Sequence, residues 1–226
     1  MKHIVVISGA GVSQESGIST FRDSNGLWEN HRIEDIASPE GFTRNPELVF
    51  NFYNLRRRQL FEVEPNAAHK LIVDLEEKNK VTVITQNVDD LHERAGSTNV
   101  LHLHGELRKV RSVEGPNLTY KWEKDLNSGD LCEKGFQLRP HIVWFGEAVP
   151  EIENALNIVQ SADVVIVIGT SLQVYPAAGL IYEVPTATKI YYIDPNPTIV
   201  SERNIEVIDK IASEGMKIVQ KKLNIV

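Results

Sequence analysis

Four short apolar runs recur along the chain, and each empties into small or polar residues. Ile4-Val5-Val6-Ile7 closes on Ser8-Gly9-Ala10-Gly11, and Val81-Thr82-Val83-Ile84-Thr85 closes on Gln86-Asn87. The run 162–168 closes on Gly169-Thr170-Ser171, and 189–193 on Asp194-Pro195-Asn196. Apolar runs of this length without strict alternation are the pattern of strands buried on both faces, as in a parallel sheet. Between them lie helical stripes, such as Ala68, Leu71, Ile72 and Leu75 at i, i+3, i+4, i+7. Strands alternating with helices predict a Rossmann-like, doubly wound α/β fold, whose ligands bind at the carboxyl ends of the strands.

Two stretches depart from the alternation. Residues 21–61 hold a loop and a helix with Asn45 as N-cap and Pro46 and Glu47 in its first turn. Residues 107–139 are polar and glycine-punctuated. Both are expected to form one small domain inserted into a large one made of 1–20, 62–106 and 140–226. The 226-residue length accommodates such an arrangement.

Composition narrows the function classes. With 42% hydrophobic and 24% charged residues the chain reads as an ordinary globular protein. A net charge of −7 argues against a nucleic-acid binder and suits a positively charged peptide partner. No apolar run reaches the length of a membrane span, and Met1-Lys2-His3-Ile4 leads straight into a strand, so a cytoplasmic monomer without a signal peptide is expected. The one cysteine, Cys132, excludes an intramolecular disulfide and any multi-cysteine metal site.

Candidate chemistry gathers at the strand ends. Gly9-Ala10-Gly11-Val12-Ser13 has the composition of a phosphate cradle at a helix N-terminus. Gly17, however, follows Gly11 by six residues where the usual dinucleotide fingerprint needs three, and a tight turn without a ligand explains the glycines equally well. His104 can take up a proton near neutral pH, with His102 expected on the opposite face of its strand. Asn87 and Asp89 can hydrogen-bond a carboxamide, while Asp89 or Asp90 could cap a following helix. Asp194 at a strand end can accept from ribose hydroxyls. Tyr53 and Arg56, three apart, share a helix face and could clasp a carboxylate. The run Arg56-Arg57-Arg58 also fits a solvated basic face.

The stretch from Gly9 to Arg22, followed by Gly26-Leu27-Trp28, closely resembles the first NAD-binding motif of sirtuins, and four further blocks follow in order. They are Thr85-Gln86-Asn87-Val88-Asp89, Leu103-His104-Gly105, Val143-Trp144-Phe145-Gly146-Glu147 and Gly169-Thr170-Ser171-Leu172. The resemblance implies an enzyme that consumes NAD to remove acyl groups from lysine side chains of proteins or peptides. It implies His104 and Asn87 as catalytic residues. NAD would be held by Gly9, Ala10, Gly11, Ser13, Gly17, Thr20, Phe21, Arg22, Trp28, Gln86, Asn87, Asp89, Gly169, Thr170, Ser171, Asp194, Asn196 and Ala212. Substrate would meet Val143, Trp144, Phe145, Gly146 and Glu147, with Tyr53 and Arg56 matching the acyl-pocket signature of the class III sirtuins.

The chain departs from the family twice. Sirtuins usually carry asparagine at the place of Asp194, although an acidic residue still suits NAD over NADP. Most sirtuins bind a structural zinc with two cysteine pairs, whereas Ser112 and Gly115 stand about where the first pair belongs and only Cys132 remains. No zinc is expected, and Leu118, Tyr120, Trp122 and Phe136 are expected to hold the insertion instead. An NAD hydrolase or ADP-ribosyltransferase on the same fold, and a non-catalytic NAD-sensing module, are the alternatives.

Overall fold

The apolar run at the N-terminus becomes the centre of the protein. In the computed structural model, which describes residues 1–19, 27–28 (backbone), 31–115, 117–198 and 204–224, β1 (His3–Ser8) is followed by two single-turn 3-10 helices and a short strand pair, β2 (Leu27–Trp28) and β3 (His31–Arg32). Then come α1 (Ile33–Ile36), α2 (Pro39–Arg44), α3 (Pro46–Leu60), α4 (Ala67–Asp74), β4 (Lys80–Thr85), α5 (Leu91–Ala95) and β5 (Val100–His102). Three strands follow, β6 (Gly105–Ser112), β7 (Thr119–Lys121) and β8 (Leu138–Ile142). The chain returns through α6 (Ile152–Gln160), β9 (Val164–Ile168), β10 (Lys189–Ile193), β11 (Ile205–Ile208) and α7 (Ala212–Lys222).

Six strands form one parallel sheet in the order β11-β10-β9-β1-β4-β5. Ile4 and Val6 pack into a core with α4 and α7, while Val5 and Ile7 pack into a second core with α6 and the 3-10 segment Ala177–Glu183. Burial on both faces is why these strands read as continuous apolar runs. The chain runs from β1 outward to β4 and β5, then crosses to β9 on the other side of β1. The strand order therefore reverses between β1 and β9, and there the crevice of a doubly wound sheet opens. Among the described residues no helix is long and apolar enough to cross a membrane.

The expected helix after β1 does not form. Ala10–Val12 and Gln14–Ser16 are each one 3-10 turn, too short to carry a helix dipole. The glycines serve instead to let two backbones touch. Gly11 N donates to Gly169 O at 2.8 Å and Gly9 N to Ile168 O at 3.0 Å. A Cβ on Gly9 would stand 2.7 Å from Thr170 Cβ, and one on Gly169, whose φ is +62°, 2.3 Å from Val12 N.

A second sheet, antiparallel in the order β7-β6-β8, lies beside α3. Asn45 caps α3 as expected, its side chain accepting from Leu48 N. The apolar residues holding this sheet differ from the expectation. Phe50, Val110, Leu126, Cys132 and Leu138 form the buried cluster, with Tyr120 and Trp122 half-buried against it. Phe136 is 42% exposed and Leu118 only half-buried. Ser112 is buried, and its Oγ takes the Cys132 thiol at 3.5 Å.

Two side chains of α3 supply what the thin apolar cluster does not. Asn54 donates to Leu126 O and accepts from Leu126 N, both at 2.9 Å. Arg57, 1% exposed, donates to Leu107 O and to Asn54 Oδ1, both at 2.8 Å. Each satisfies a backbone group that burial would otherwise leave unpaired. We expect Asn54→Ala to cost about 2–3 kcal/mol and to lower the thermal midpoint, with amide exchange speeding up around Lys124–Leu126 before the parallel sheet is affected. Unchanged exchange there would show that the asparagine pin is not what holds the segment.

Candidate active site

At the point where strand order reverses, the loops after β1, β4, β5, β8, β9 and β10 surround a cavity of about 700 Å³. Gly9, Ala10, Gly11, Gln86, Asn87, Asp89, His104, Gly169, Thr170, Ser171, Asp194, Asn196 and Ala212 line it, together with Tyr53, Arg56 and the whole loop Val143–Glu147. Residues far apart in sequence meet here because their strands end on one edge of the sheet. Ser13 and Gly17 do not line the cavity. Thr20, Phe21 and Arg22 lie outside the described residues, as does the side chain of Trp28.

Ser13 acts from behind the wall. Its hydroxyl donates to Asp89 Oδ2 at 3.0 Å and accepts from Asn87 Nδ2 at 3.1 Å, so one serine orients both polar groups of the turn after β4. Asp89 Oδ1 also accepts from Leu91 N at the start of α5, so this one carboxylate both steadies the helix start and lines the cavity. Burial pushes the Asp89 carboxyl up, opposed by the Leu91 amide, the Ser13 hydroxyl and the charge of His102. Gln86 Nε2 donates to Thr170 Oγ1 at 3.1 Å, joining the β4 and β9 loops. Asp194, buried, accepts from Asn196 N at 2.8 Å.

His104 Nδ1 lies 3.1 Å from Gln86 O. A carbonyl only accepts, so Nδ1 carries the proton and Nε2 is left as the basic nitrogen on the cavity-lining ring. Burial holds the imidazole below the ordinary histidine value, partly offset by that hydrogen bond, so it is neutral at physiological pH. The backbone around it is fixed on both sides. Leu103 N donates to Thr85 O, and His104 O accepts from Val143 N, each at 2.9 Å. Gly105 then turns at φ +83°, where a Cβ would strike His141 O at 2.0 Å. His102, at the end of β5, does not line the cavity. Its Nδ1 donates at 3.0 Å to Asn87 O, the next carbonyl along the same turn.

The loop Val143–Glu147 is held by charge. Arg139 reaches both Glu147 oxygens, at 2.7 and 3.0 Å, and Arg111 reaches the same carboxylate at 2.9 Å. Glu147 Oε2 also accepts from Trp144 N at 2.8 Å. Glu147 is thus engaged with the loop and its support, and it shapes the site by fixing Trp144. The Arg139 guanidinium lies 3.3 Å from the centre of the Trp144 ring, whose Nε1 donates to Tyr53 Oη at 3.0 Å. On α3 the expectation of a solvated basic face fails for two of its three arginines. Arg56 and Arg57 are 8% and 1% exposed, and only Arg58 faces water. Burial also pushes the Tyr53 phenol well up.

Arg111 and Arg139 were not among the sequence candidates. Their signal was a charged residue within a strand: Arg139 interrupts the otherwise weakly polar β8, and a buried arginine needs acceptors, a carboxylate above all, to offset its lost hydration. Which carboxylate it finds is not written locally. Burial pushes the Glu147 carboxyl up, but the bonds from Arg139 and Trp144 N and the charges of both arginines outweigh it and hold it below the ordinary value. Its stabilising effect is therefore present above the unfolded-state pKa and lost as pH falls through the folded one. We expect Glu147→Gln to destabilise by about 2–4 kcal/mol and to flatten the loss of stability below about pH 4.5, followed by denaturant unfolding at several pH values. A variant with wild-type acid sensitivity would remove the ion pair from this role.

With the geometry in place, comparison with known proteins assigns the lineage. The Sir2 family profile matches residues 9–176. The NAD-dependent protein deacylase of Helicobacter pylori is 56% identical over 224 residues, covering 99% of this chain and 98% of its own. Among solved structures, a Sir2 homolog in complex with NAD superposes with a TM-score of 0.89 at 41% identity, over 99% of this chain and 90% of that one. A Sir2 complex with a p53 peptide and NAD+ superposes at 0.80 with 30% identity, over 99% and 94%. Sheet order, strand-end cavity and sequence relationship agree, and the chain belongs to the Sir2 family, the sirtuins.

Proposed function

We propose that this protein is an NAD-dependent protein deacylase, transferring the acyl group of a modified lysine to ADP-ribose with release of nicotinamide. The observation that carries the reading is the meeting of an oriented imidazole, a turn that presents Asn87 and Asp89, and the loop Val143–Glu147 in one cavity. The deacylase relative and the solved NAD and peptide complexes of the family support it.

The cavity fits a dinucleotide by its donors and acceptors. Bound NAD supplies a ribose carbon from which nicotinamide departs. Asn87 and Asp89 meet the nicotinamide carboxamide, and Gln86 faces the adjoining ribose. The loops at 9–11 and 169–171 border the phosphates and adenosine, with Asp194, Asn196 and Ala212 at the far end. Asp194 accepts from ribose hydroxyls and repels a 2′-phosphate. His104 Nε2 takes a proton from a ribose hydroxyl as the acyl group passes to that sugar, and it is available because burial keeps the ring neutral. The substrate main chain lies as a strand between Phe145–Glu147 and the segment after Ser171.

Tyr53 and Arg56, brought together on the buried face of α3, select acyl groups that end in a carboxylate, such as succinyl. A guanidinium removed from water gains more from a carboxylate than an exposed one does. The insertion, which we assign to 21–61 and 107–139, is zinc-free. What supports this is the residue inventory: one cysteine in the chain, with Ser112 and Gly115 about where the first cysteine pair would stand.

Incubation with NAD and matched acetyl-lysine and succinyl-lysine peptides, following peptide mass and free nicotinamide together, tests the reading. Deacylation is expected to match nicotinamide release mole for mole and to fall by roughly 100-fold or more in His104→Ala. Arg56→Met is expected to lower desuccinylation roughly 10- to 100-fold with a much smaller effect on deacetylation. Nicotinamide release without any change in peptide mass would overturn the deacylase reading in favour of hydrolysis. Because His104 works as a neutral base and its pKa is lowered, the rate should still stand at its plateau at pH 7 and decline only below about pH 6.5.

A further inference from the structure

His102 has no part in the chemistry described so far, yet it is one of the most constrained polar groups near the cavity. Its side chain is 8% exposed at the end of β5. Nδ1 meets Asn87 O at 3.0 Å, and Nε2 meets Glu93 Oε1 of α5 at 2.7 Å. A carbonyl and a carboxylate both only accept, so both ring nitrogens carry protons and the ring is an imidazolium. The same turn is gripped by His104 through Gln86 O. Two imidazoles, two residues apart, therefore hold consecutive carbonyls of one turn. They differ in the second nitrogen, which His102 commits to a carboxylate.

Two further groups of Asn87 tie it to β4 and to the loop after β1. Its amide N donates to Thr85 Oγ1 at 3.0 Å, and its side chain to Ser13, which also holds Asp89. The Asn87 carbonyl accepts from His102. We infer that His102 is a positioning residue for the nicotinamide end of the pocket: through the Asn87 carbonyl and Glu93 it braces the 86–89 turn from behind, setting Asn87 and Asp89 in register with His104. This deepens the deacylase reading and rests on it for the identity of the base bound there.

The groups facing His102 come from several elements. Glu93 on α5, Asp89 in the turn and Glu106 on β6 favour the imidazolium, Lys109 on β6 bears on Glu93, and His92 on α5 is kept neutral by burial. Burial pulls His102 down, but the hydrogen bond and charge of Glu93 and the Asn87 carbonyl outweigh it and leave its pKa raised. As pH rises through that value, Nε2 loses its proton and its lone pair opposes Glu93, while Nδ1 keeps its bond. The brace then loosens on one side. His104, shifted the other way, must be neutral to work. The two histidines thus bracket the working range, His104 on the acid limb and His102 on the alkaline limb.

The test uses the full-length protein and its His102→Asn, His102→Leu and Glu93→Gln variants. For each, NAD affinity is measured by calorimetry and kcat and KM with an acetyl-lysine peptide, between about pH 6 and 9. Asparagine places Nδ2 where the imidazole has Nδ1, so it keeps the bond to Asn87 O but has no proton to lose. His102→Leu is expected to weaken NAD binding and raise its KM roughly 10-fold, with kcat changed less. His102→Asn is expected to recover to within about 2-fold of wild type at neutral pH, with the alkaline fall gone and the acid limb kept. Glu93→Gln should move the alkaline fall to lower pH. Wild-type NAD affinity in His102→Leu, or an unchanged alkaline fall in His102→Asn, would overturn the inference. Should His102→Leu not fold, the other two variants decide through the alkaline limb alone. If the wild type turns over no peptide, the deacylase reading fails by itself, while the pH dependence of NAD affinity in the same variants still tests His102.

Discussion

Gly11 gives its amide proton to Gly169 across the reversal of strand order, and Gly9 does the same to Ile168. These two contacts bring the loops after β1 and β9 to bare-backbone distance, closer than any side chain on Gly9, Gly11 or Gly169 would permit. The floor of the cavity is this junction. The chain then passes to Ser13, whose hydroxyl sets Asn87 and Asp89, and Thr170 receives Gln86 from the β4 loop. A methyl group at the junction would separate the loops and displace every group that depends on them. The glycines are thus required by the packing of protein on protein, before any ligand is considered.

On the opposite wall the site is organised by one carboxylate. Glu147 has Arg139 and Arg111 on its oxygens and the Trp144 amide on one of them, and Arg139 stacks on the Trp144 ring. Removing three charges from water is costly, and a buried pair contributes little net stability compared with an apolar equivalent. Its value lies in geometry. A forked pair of guanidinium contacts fixes the loop more narrowly than apolar packing would, and Trp144 in turn fixes the phenol of Tyr53. The loop and α3 are consequently joined as one mechanical unit through Trp144 and Tyr53.

The beads of this fold that depend on short-range pattern were legible in the sequence. The four central strands, the stripe of α4 and the Asn45 cap of α3 are set by neighbours within a turn or two, through periodicity and backbone donors. The edge strands β5 and β11 were not foreseen, since three or four half-buried residues carry little pattern. The helix expected after Gly11 failed because the glycine turn is spent on contact with Gly169, which is remote in sequence. The solvated face expected for Arg56 and Arg57 failed because Arg57 packs on β6 and Arg56 turns into the cavity, and Phe136 proved exposed while Leu126 and Leu138 fill the cluster.

By itself the sequence determined the parallel α/β framework, the edge at which chemistry gathers and, through five motifs in order, the family to which the framework belongs. Only the tertiary structure decided which groups act on one another: Ser13 on Asn87 and Asp89, Arg111 and Arg139 on Glu147, and His102 on Asn87 and Glu93. The reason is physical. Helix and strand periodicity is a property of a few consecutive residues, whereas the partner of a buried polar group is fixed by where distant strands end, and its protonation by what then surrounds it.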